Sequence, residues 1–422
     1  MDKHPSLTDF LRKLSYVGMG SAAASLLSFP FRIYIGRVLG PDAYGQFAVI
    51  SSVAMFLCLP MRLGFGTAMV KYGASQGAVT TQSSILTTAV VCVGACSAAA
   101  LVLYISFATA LAELFAVSRQ DLYLAMALAV FYVFYMLARD ALRALHALRQ
   151  FGLFEPVYVL IQIAAFGLLW AMGGPLSFQT LLYAMWIAYG ATTLLIYLYV
   201  LRPYLCGPLD RAWAKHLMSY SLVTSIGGMS FTVFTYTDQL MLNTYMTAAD
   251  VGIYYAYLTA SVDVARWVFN MFNAVFFPTA SKLQDKTQLY RQINRALPYL
   301  VVLGFLCVLA SQWLILTLYG RDYPLDPWWM CLFATGGVGI GVLGLYGWLL
   351  NATGRGGAKV YACSEALLAV VNMGLNLWLI PVLGVTGAIT STILAYGLAI
   401  VVMRRWGRPY YERDAAAVGL TG

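Results

Sequence analysis

The chain carries the stretch Gly40-Pro-Asp-Ala-Tyr-Gly-Gln-Phe-Ala48 between its first two long apolar segments. A second stretch, Thr247-Ala-Ala-Asp-Val-Gly-Ile-Tyr-Tyr-Ala256, repeats the pattern about halfway along the chain. In both, a glycine stands two residues before an aromatic residue, where the next apolar segment begins. The echo predicts an internal duplication, in which the same turn occurs once in each half.

The composition predicts a membrane protein. Of the 422 residues, 61% are apolar and 10% are charged, and the mean hydropathy is +0.75. A soluble domain carries about 25% charged residues, because its surface must face water. A spanning helix needs about 20 mainly apolar residues, and about twelve such windows occur here, which predicts an all-α polytopic fold. The windows run approximately over 14–37, 43–64, 83–107, 121–141, 153–172, 178–201, 215–241, 250–278, 296–319, 327–350, 360–381 and 384–403.

The basic residues predict the orientation of these helices. With both termini in the cytoplasm, most of the 26 Lys and Arg residues fall in inner loops, and only Arg37, Arg119 and Arg321 fall in outer ones. This asymmetry follows the positive-inside rule, so the net charge of +9 does not indicate a nucleic-acid partner. The basic loop from Arg202 to Lys215 divides the helices into two sets, 1–206 and 207–422. We expect a multi-pass protein of the cell inner membrane.

Enzymatic, metal and redox chemistry find no support in the sequence. The seven cysteines are scattered and form no CxxC pair, and the chain has three histidines. It contains neither a P-loop nor a GxSxG motif. We therefore predict no catalytic residue, no metal site and no cofactor.

Four charged residues stand out at membrane depth: Arg32, Asp238, Asp263 and Arg266. Each costs roughly 2.5–3.5 kcal/mol there, so such residues line a cavity or pair with one another. Helical spacing places Ser28 on the Arg32 face, and it places Asn270 and Asn273 on the Arg266 face.

Other interpretations of these polar residues stay open. The small residues of the first helix also suit close helix packing, and Arg32 can snorkel to the outer interface. Asp263 and Arg266 can neutralise each other, three residues apart. Asn372 and Asn376 suit either a hydrogen bond between helices or a cavity wall.

Several motifs resemble those of Wzx-type polysaccharide flippases, in the multidrug/oligosaccharidyl-lipid/polysaccharide exporter superfamily. The resemblance extends from about residue 10 to 405, and the order and spacing of the motifs make it strong. They are Arg37-Val-Leu-Gly-Pro-Asp-Ala-Tyr-Gly-Gln-Phe-Ala48, Thr237-Asp-Gln-Leu-Met-Leu, Asp250-Val-Gly-Ile-Tyr-Tyr255, Phe277-Pro278, Leu318-Tyr-Gly-Arg-Asp-Tyr323, the pair Asn372 and Asn376, and Ile380-Pro-Val-Leu-Gly-Val-Thr-Gly-Ala388.

The resemblance implies two bundles of about six helices around a central cavity that opens alternately to each side. Members of the family carry undecaprenyl-diphosphate-linked oligosaccharides from the cytoplasmic to the outer leaflet. A polysaccharide polymerase and chain-length components are the implied partners. Related lipid flippases place arginines of the first and eighth helices against the diphosphate, a role that falls here on Arg32 and Arg266. We further hypothesise that Asp238 or Asp263 couples transport to Na⁺ or H⁺.

Two other functions compete with this one. A drug/cation antiporter of the same superfamily favours an acidic, aromatic cavity, and an essential Arg32 argues against it. A membrane glycosyltransferase or polymerase normally carries catalytic residues on a long outer loop, whereas the predicted loops are short.

Overall fold

The computed structural model describes residues 7–75, 78–272 and 286–418. These ranges are helical almost throughout and contain no β-strand. The first helices are α1 (Leu7–Arg62), α2 (Phe65–Ala74), α3 (Val79–Ser106), α4 (Ala108–Leu114), α5 (Arg119–Ala144), α6 (Leu148–Ala171), α7 (Phe178–Ile196) and α8 (Arg211–Tyr245). The later helices are α9 (Ala248–Leu258), α10 (264–272), α11 (Lys286–Tyr319), α12 (Pro327–Ala352), α13 (Arg355–Leu383) and α14 (Val385–Val418).

The prediction of about twelve membrane-spanning helices is confirmed. Within the described ranges, nine helices are long and apolar enough to cross a membrane. The first of them contains two spans, because Gly40 leaves the helical conformation with φ 74° and ψ 170°. Glycine adopts this positive φ without steric cost, so the chain can turn there. The 35-residue helix α8 and the interrupted helix 248–272 have the length of further spans.

The described residues form two compact units. The first comprises residues 7–39 and 46–229, and the second comprises residues 40–45 and 230–418. The units therefore divide inside α8. The division at residue 206, indicated by the basic loop, stays a prediction about the repeat boundary. Residues 40–45 are notable because the chain on both sides of them belongs to the first unit.

In the second unit, the two echoed stretches pack directly against each other. A Cβ added to Gly252 would lie 2.0 Å from the carbonyl oxygen of Pro41, and one added to Gly45 would lie 1.8 Å from that of Ala248. Next to this contact, the hydroxyl groups of Tyr44 and Tyr319 lie 3.1 Å apart and are buried. Only glycine allows backbones to approach this closely. The recurring glycine of the two stretches thus has a steric cause.

Helices α9 and α10 are joined through a π-helical turn, Thr259–Asp263. Helix α9 begins with a capping box, in which the backbone N–H of Asp250 donates to Thr247 Oγ1 at 3.3 Å and that of Thr247 donates to Asp250 Oδ2 at 3.1 Å. The π turn adds a residue to one helical turn, which rotates all later side chains. It ends at Asp263, directly before the turn that carries Arg266.

Asp140 of α5 stabilises the first unit through two arginines. Its carboxyl group is 3.0 Å from Arg62 Nη2 and 3.3 Å from Arg143 Nη1, and the residue is 5% exposed. Both arginines are partly exposed, so losing their partner costs less than in a fully buried pair. We expect Asp140→Ala to lower the free energy of unfolding by about 2 kcal/mol. The melting temperature of the purified protein in detergent measures this loss. Glu113→Ala, at an exposed acid on α4, is the control; equal melting temperatures would contradict the assignment.

Candidate functional site

Asp238 is the centre of a buried polar network in the second unit. It lies in α8 and is 6% exposed. The Tyr254 hydroxyl donates to its Oδ2 at 2.6 Å, and the Thr392 hydroxyl donates to the same oxygen at 3.1 Å. The amide of Asn376 donates to Oδ1. One carboxyl group thus joins α8, α9, α13 and α14.

The two asparagines of α13 complete this network. Asn376 Nδ2 also donates to Asn372 Oδ1 at 3.1 Å, and Asn372 Nδ2 donates to Thr392 Oγ1 at 3.2 Å. Both residues are fully buried, so they join helices and do not line an open wall. Asn376 Oδ1 is buried and accepts no hydrogen bond from the described residues.

The network has the chemistry of a site for a proton or a small hard cation. A carboxylate without a positive partner is costly in an apolar interior, and no basic side chain of the described ranges pairs with Asp238. Side-chain oxygens of Asp238, Asn372, Asn376 and Thr392 lie together there, and oxygen ligands suit hard cations. The described residues contain no group of three or more His, Cys, Asp or Glu that would hold a metal ion in the usual way.

The predicted pair Asp263 and Arg266 is formed. Arg266 Nη1 donates to Asp263 Oδ1 at 3.3 Å, and both side chains are 31% exposed. The charge of Arg266 also acts electrostatically on the hydroxyl of Tyr396 in α14. Asn270 is exposed one turn further along α10. Asn273 lies outside the described residues.

Arg32 and Ser28 lie in the first unit, one turn apart on α1. Arg32 is exposed, and its charge acts electrostatically on the hydroxyl of Tyr158 in α6. Ser28 is half-buried and donates to the carbonyl oxygen of Ser25 in its own helix at 3.4 Å. The ring of Tyr158 stacks on that of Tyr189, with centroids 4.8 Å apart.

The sequence did not reveal several members of these clusters. Tyr254, Thr392 and Tyr396 are ordinary residues of apolar helices until their neighbours are known. In the first unit, Glu155 of α6 accepts hydrogen bonds from Arg139 and from Ser21. The signals for this cluster were a lone acid inside the fifth predicted span, 153–172, and an arginine near the end of the fourth, 121–141.

Comparison with known proteins agrees with these observations. The family described as "Polysaccharide biosynthesis protein" matches residues 10–284. No curated protein sequence matches the chain.

Solved structures share the fold at low identity. An inward-facing multidrug resistance MATE family transporter of the MOP superfamily has a TM-score of 0.68 at 15% identity, covering 94% of this chain and 96% of its own. The MATE multidrug transporter DinF-BH has a TM-score of 0.63 at 15% identity, covering 98% and 99%. The lipid II flippase MurJ, in an inward closed conformation, has a TM-score of 0.62 at 11% identity, covering 96% and 91%.

These three likenesses are evidence for the fold alone. The family match is stronger evidence, because it extends over more than half of the sequence and includes both the turn at Gly40 and the helix that contains Asp238. The chain belongs to the polysaccharide biosynthesis protein family, within the multidrug/oligosaccharidyl-lipid/polysaccharide exporter superfamily.

Proposed function

We propose that this protein is an inner-membrane flippase for undecaprenyl-diphosphate-linked oligosaccharides. It carries them from the cytoplasmic to the outer leaflet by alternating access, without an enzymatic step, and its termini are cytoplasmic. The observation that carries the proposal is a guanidinium group inside a membrane span of each unit, Arg32 in the first and Arg266 in the second. The polymerase and chain-length components that use the product are the expected partners.

The geometry around Arg266 suits a diphosphate. A guanidinium has five N–H donors, and the hydrogen bond to Asp263 uses one of them. The partly exposed group can donate to two phosphate oxygens in parallel. The exposed amide of Asn270 adds neutral donors one turn away. Arg32, with Ser28 one turn away, offers a similar pairing on α1.

Asp238 is the group to which we assign ion coupling. A proton or Na⁺ that enters the network would neutralise the buried carboxylate, and its release would restore the charge. Asp263 is the weaker candidate, because Arg266 already compensates its charge at 3.3 Å. The buried, unpaired Asn376 Oδ1 beside Asp238 supports this choice.

A drug/cation antiporter is the second candidate function. It is favoured by the likeness of fold to MATE transporters and by the acidic network around Asp238. An antiporter for organic cations would export a cationic dye from cells that make no polysaccharide, and its substrate would gain nothing from Arg32. The flippase would not export the dye.

Complementation of a flippase-deficient polysaccharide strain tests the proposal. Wild type is expected to restore surface polymer, and Arg32→Ala is expected to restore about tenfold less or none, because charged hydrogen bonds are lost. Partial rescue by Arg32→Lys would indicate that charge matters more than the planar fork. Arg37→Ala is the matched control, because Arg37 is also an exposed arginine of α1 and lies five residues after Arg32.

Membrane levels of all variants must be equal for this comparison. Rescue by Arg32→Ala at the wild-type level would remove Arg32 from the site and favour the antiporter.

A further inference from the structure

An apolar groove lies on the second unit between α10, α11 and α12. Its volume is about 360 Å³, within the size range of ligand sites. Val268 and Phe272 form one wall, and Leu300 and Cys307 form another. The lining contains only apolar side chains, glycine and cysteine. A groove of this composition in a membrane-spanning region fits a hydrocarbon chain.

Two glycines line the groove at positions where the neighbouring helices would leave room for a larger side chain. A Cβ added to Gly341 would meet no atom within 4 Å, and one added to Gly304 would make an ordinary contact of 3.6 Å with Val338. Gly337 differs, since its Cβ would lie 3.3 Å from Val308. Glycine inside a helix is less favourable than alanine by about 0.8–1.0 kcal/mol. At Gly341 and Gly304 the missing side chains widen the groove and leave room that a ligand can fill.

The groove begins beside the candidate diphosphate residue. Ala265 lines it and directly precedes Arg266 in the chain, and Phe269 lines it one turn later. In the proposed orientation the chain runs from α9 through α10 toward the cytoplasm, so the groove extends toward the leaflet in which the substrate is made. An anion site and an apolar groove on the same short helix match the two parts of a prenyl diphosphate.

We propose that this groove holds the first isoprene units of the substrate's polyprenyl tail while the diphosphate is at Arg266. The proposal rests on the proposed flippase function and specifies the lipid class that the site selects. A polyprenyl chain carries a methyl branch on every isoprene unit and is thicker than a straight acyl chain. The open glycines of the groove floor supply that extra width.

Photo-crosslinking in proteoliposomes tests the occupant. The probe is a polyprenyl diphosphate with a diazirine on an isoprene unit near the head group, and labelled peptides are identified by mass spectrometry. We expect the label on peptides that contain Val268 and Cys307, reduced about tenfold by excess unlabelled undecaprenyl diphosphate, since each buried methylene contributes to binding. Excess phosphatidylglycerol is expected to leave it unchanged. If phosphatidylglycerol reduces the label as much as undecaprenyl diphosphate does, or if all lipid-facing helices are labelled to the same extent, the groove is an ordinary lipid contact and the proposal is overturned.

A space-filling variant tests the same site independently. Gly341→Leu is expected to reduce both the groove label and the flipping rate about tenfold, because its side chain enters the open space. The matched control is Gly374→Leu, at an exposed glycine of α13 with no atom within 4 Å of an added Cβ.

The outcomes separate this proposal from the function on which it rests. If wild type flips the prenyl-linked substrate and both leucine variants flip it equally well, the groove assignment is wrong and the flippase function stands. If wild type neither binds nor flips it, the function itself is wrong. The wild-type crosslinking result remains decisive even if Gly341→Leu does not fold.

Discussion

Replacement of Gly252 by alanine is expected to abolish the rescue of surface polysaccharide and to lower the free energy of unfolding by about 3 kcal/mol. The added Cβ would lie 2.0 Å from the carbonyl oxygen of Pro41 and 3.0 Å from the backbone nitrogen of Gly45. These are backbone atoms, so no change of rotamer relieves the clash. Residues 40–45 would have to leave the second unit, to which they are otherwise bound by Tyr44 and Tyr319.

The reciprocal substitution makes the prediction sharper. In Gly45→Ala the Cβ would lie 1.8 Å from the carbonyl oxygen of Ala248 and 2.8 Å from the nitrogen of Gly252. Both variants break the same contact, so the double variant should be only slightly less stable than either single variant. Melting temperatures in detergent measure this, with Gly94→Ala as the control because its Cβ has open space. Additive losses, or a Gly252→Ala variant that melts like the control, would refute the shared contact.

The same contact shows what the sequence can and cannot predict about this fold. The echo of glycine before an aromatic residue was visible in the sequence, and the two stretches that share it are in contact. The duplication that it predicts stays a prediction. Its cause was not visible, because the constraint on Gly45 comes from the backbone of Ala248, about two hundred residues away. The helices themselves were predictable, since the need to bury backbone polar groups in lipid leaves long apolar helices as the usual solution.

A hydropathy pattern could not predict the local breaks inside those helices. The interruption at Thr259–Asp263 carries no proline or glycine, so nothing in its sequence predicts a π turn. Three of its residues, Thr259, Ala260 and Ser261, are fully buried, and the Ser311 hydroxyl of α11 donates to the carbonyl oxygen of Ala260 at 2.7 Å. A tertiary contact of this kind satisfies a carbonyl group and is not encoded in local spacing.

The candidate sites were predictable in part for a similar reason. Charge at membrane depth marked Asp238 and Arg266, and the spacing of Asn372 and Asn376 predicted that they share a face. The hydroxyl partners Tyr254 and Thr392 could not be selected, because tyrosine and threonine are common in these helices and periodicity does not identify the neighbouring helix. The predicted roles of Arg32, Ser28, Asn270 and Asn273 stay predictions.

Asp238→Asn is expected to remove the dependence of transport on a cation gradient altogether. The substitution keeps the volume of the side chain and removes its charge. One carboxylate oxygen becomes an NH₂ group that faces the donors Tyr254, Thr392 or Asn376, so at least one hydrogen bond is lost. A site without charge can neither attract a cation nor release a proton, so flipping should no longer respond to either gradient.

Two measurements check this expectation. If the coupling ion is Na⁺, a concentration a hundred times its dissociation constant should stabilise wild type by about 2.7 kcal/mol relative to choline at equal ionic strength, and the variant should show no such gain. If the coupling ion is H⁺, Na⁺ should stabilise neither protein. Flipping in proteoliposomes should respond to an imposed Na⁺ or pH gradient in wild type only. Asp263→Asn is the matched control: its carboxylate is already neutralised by Arg266, so the cation response should persist while substrate affinity changes. A gradient response that survives in Asp238→Asn and disappears in Asp263→Asn would move the coupling site from the buried network to the ion pair on α10.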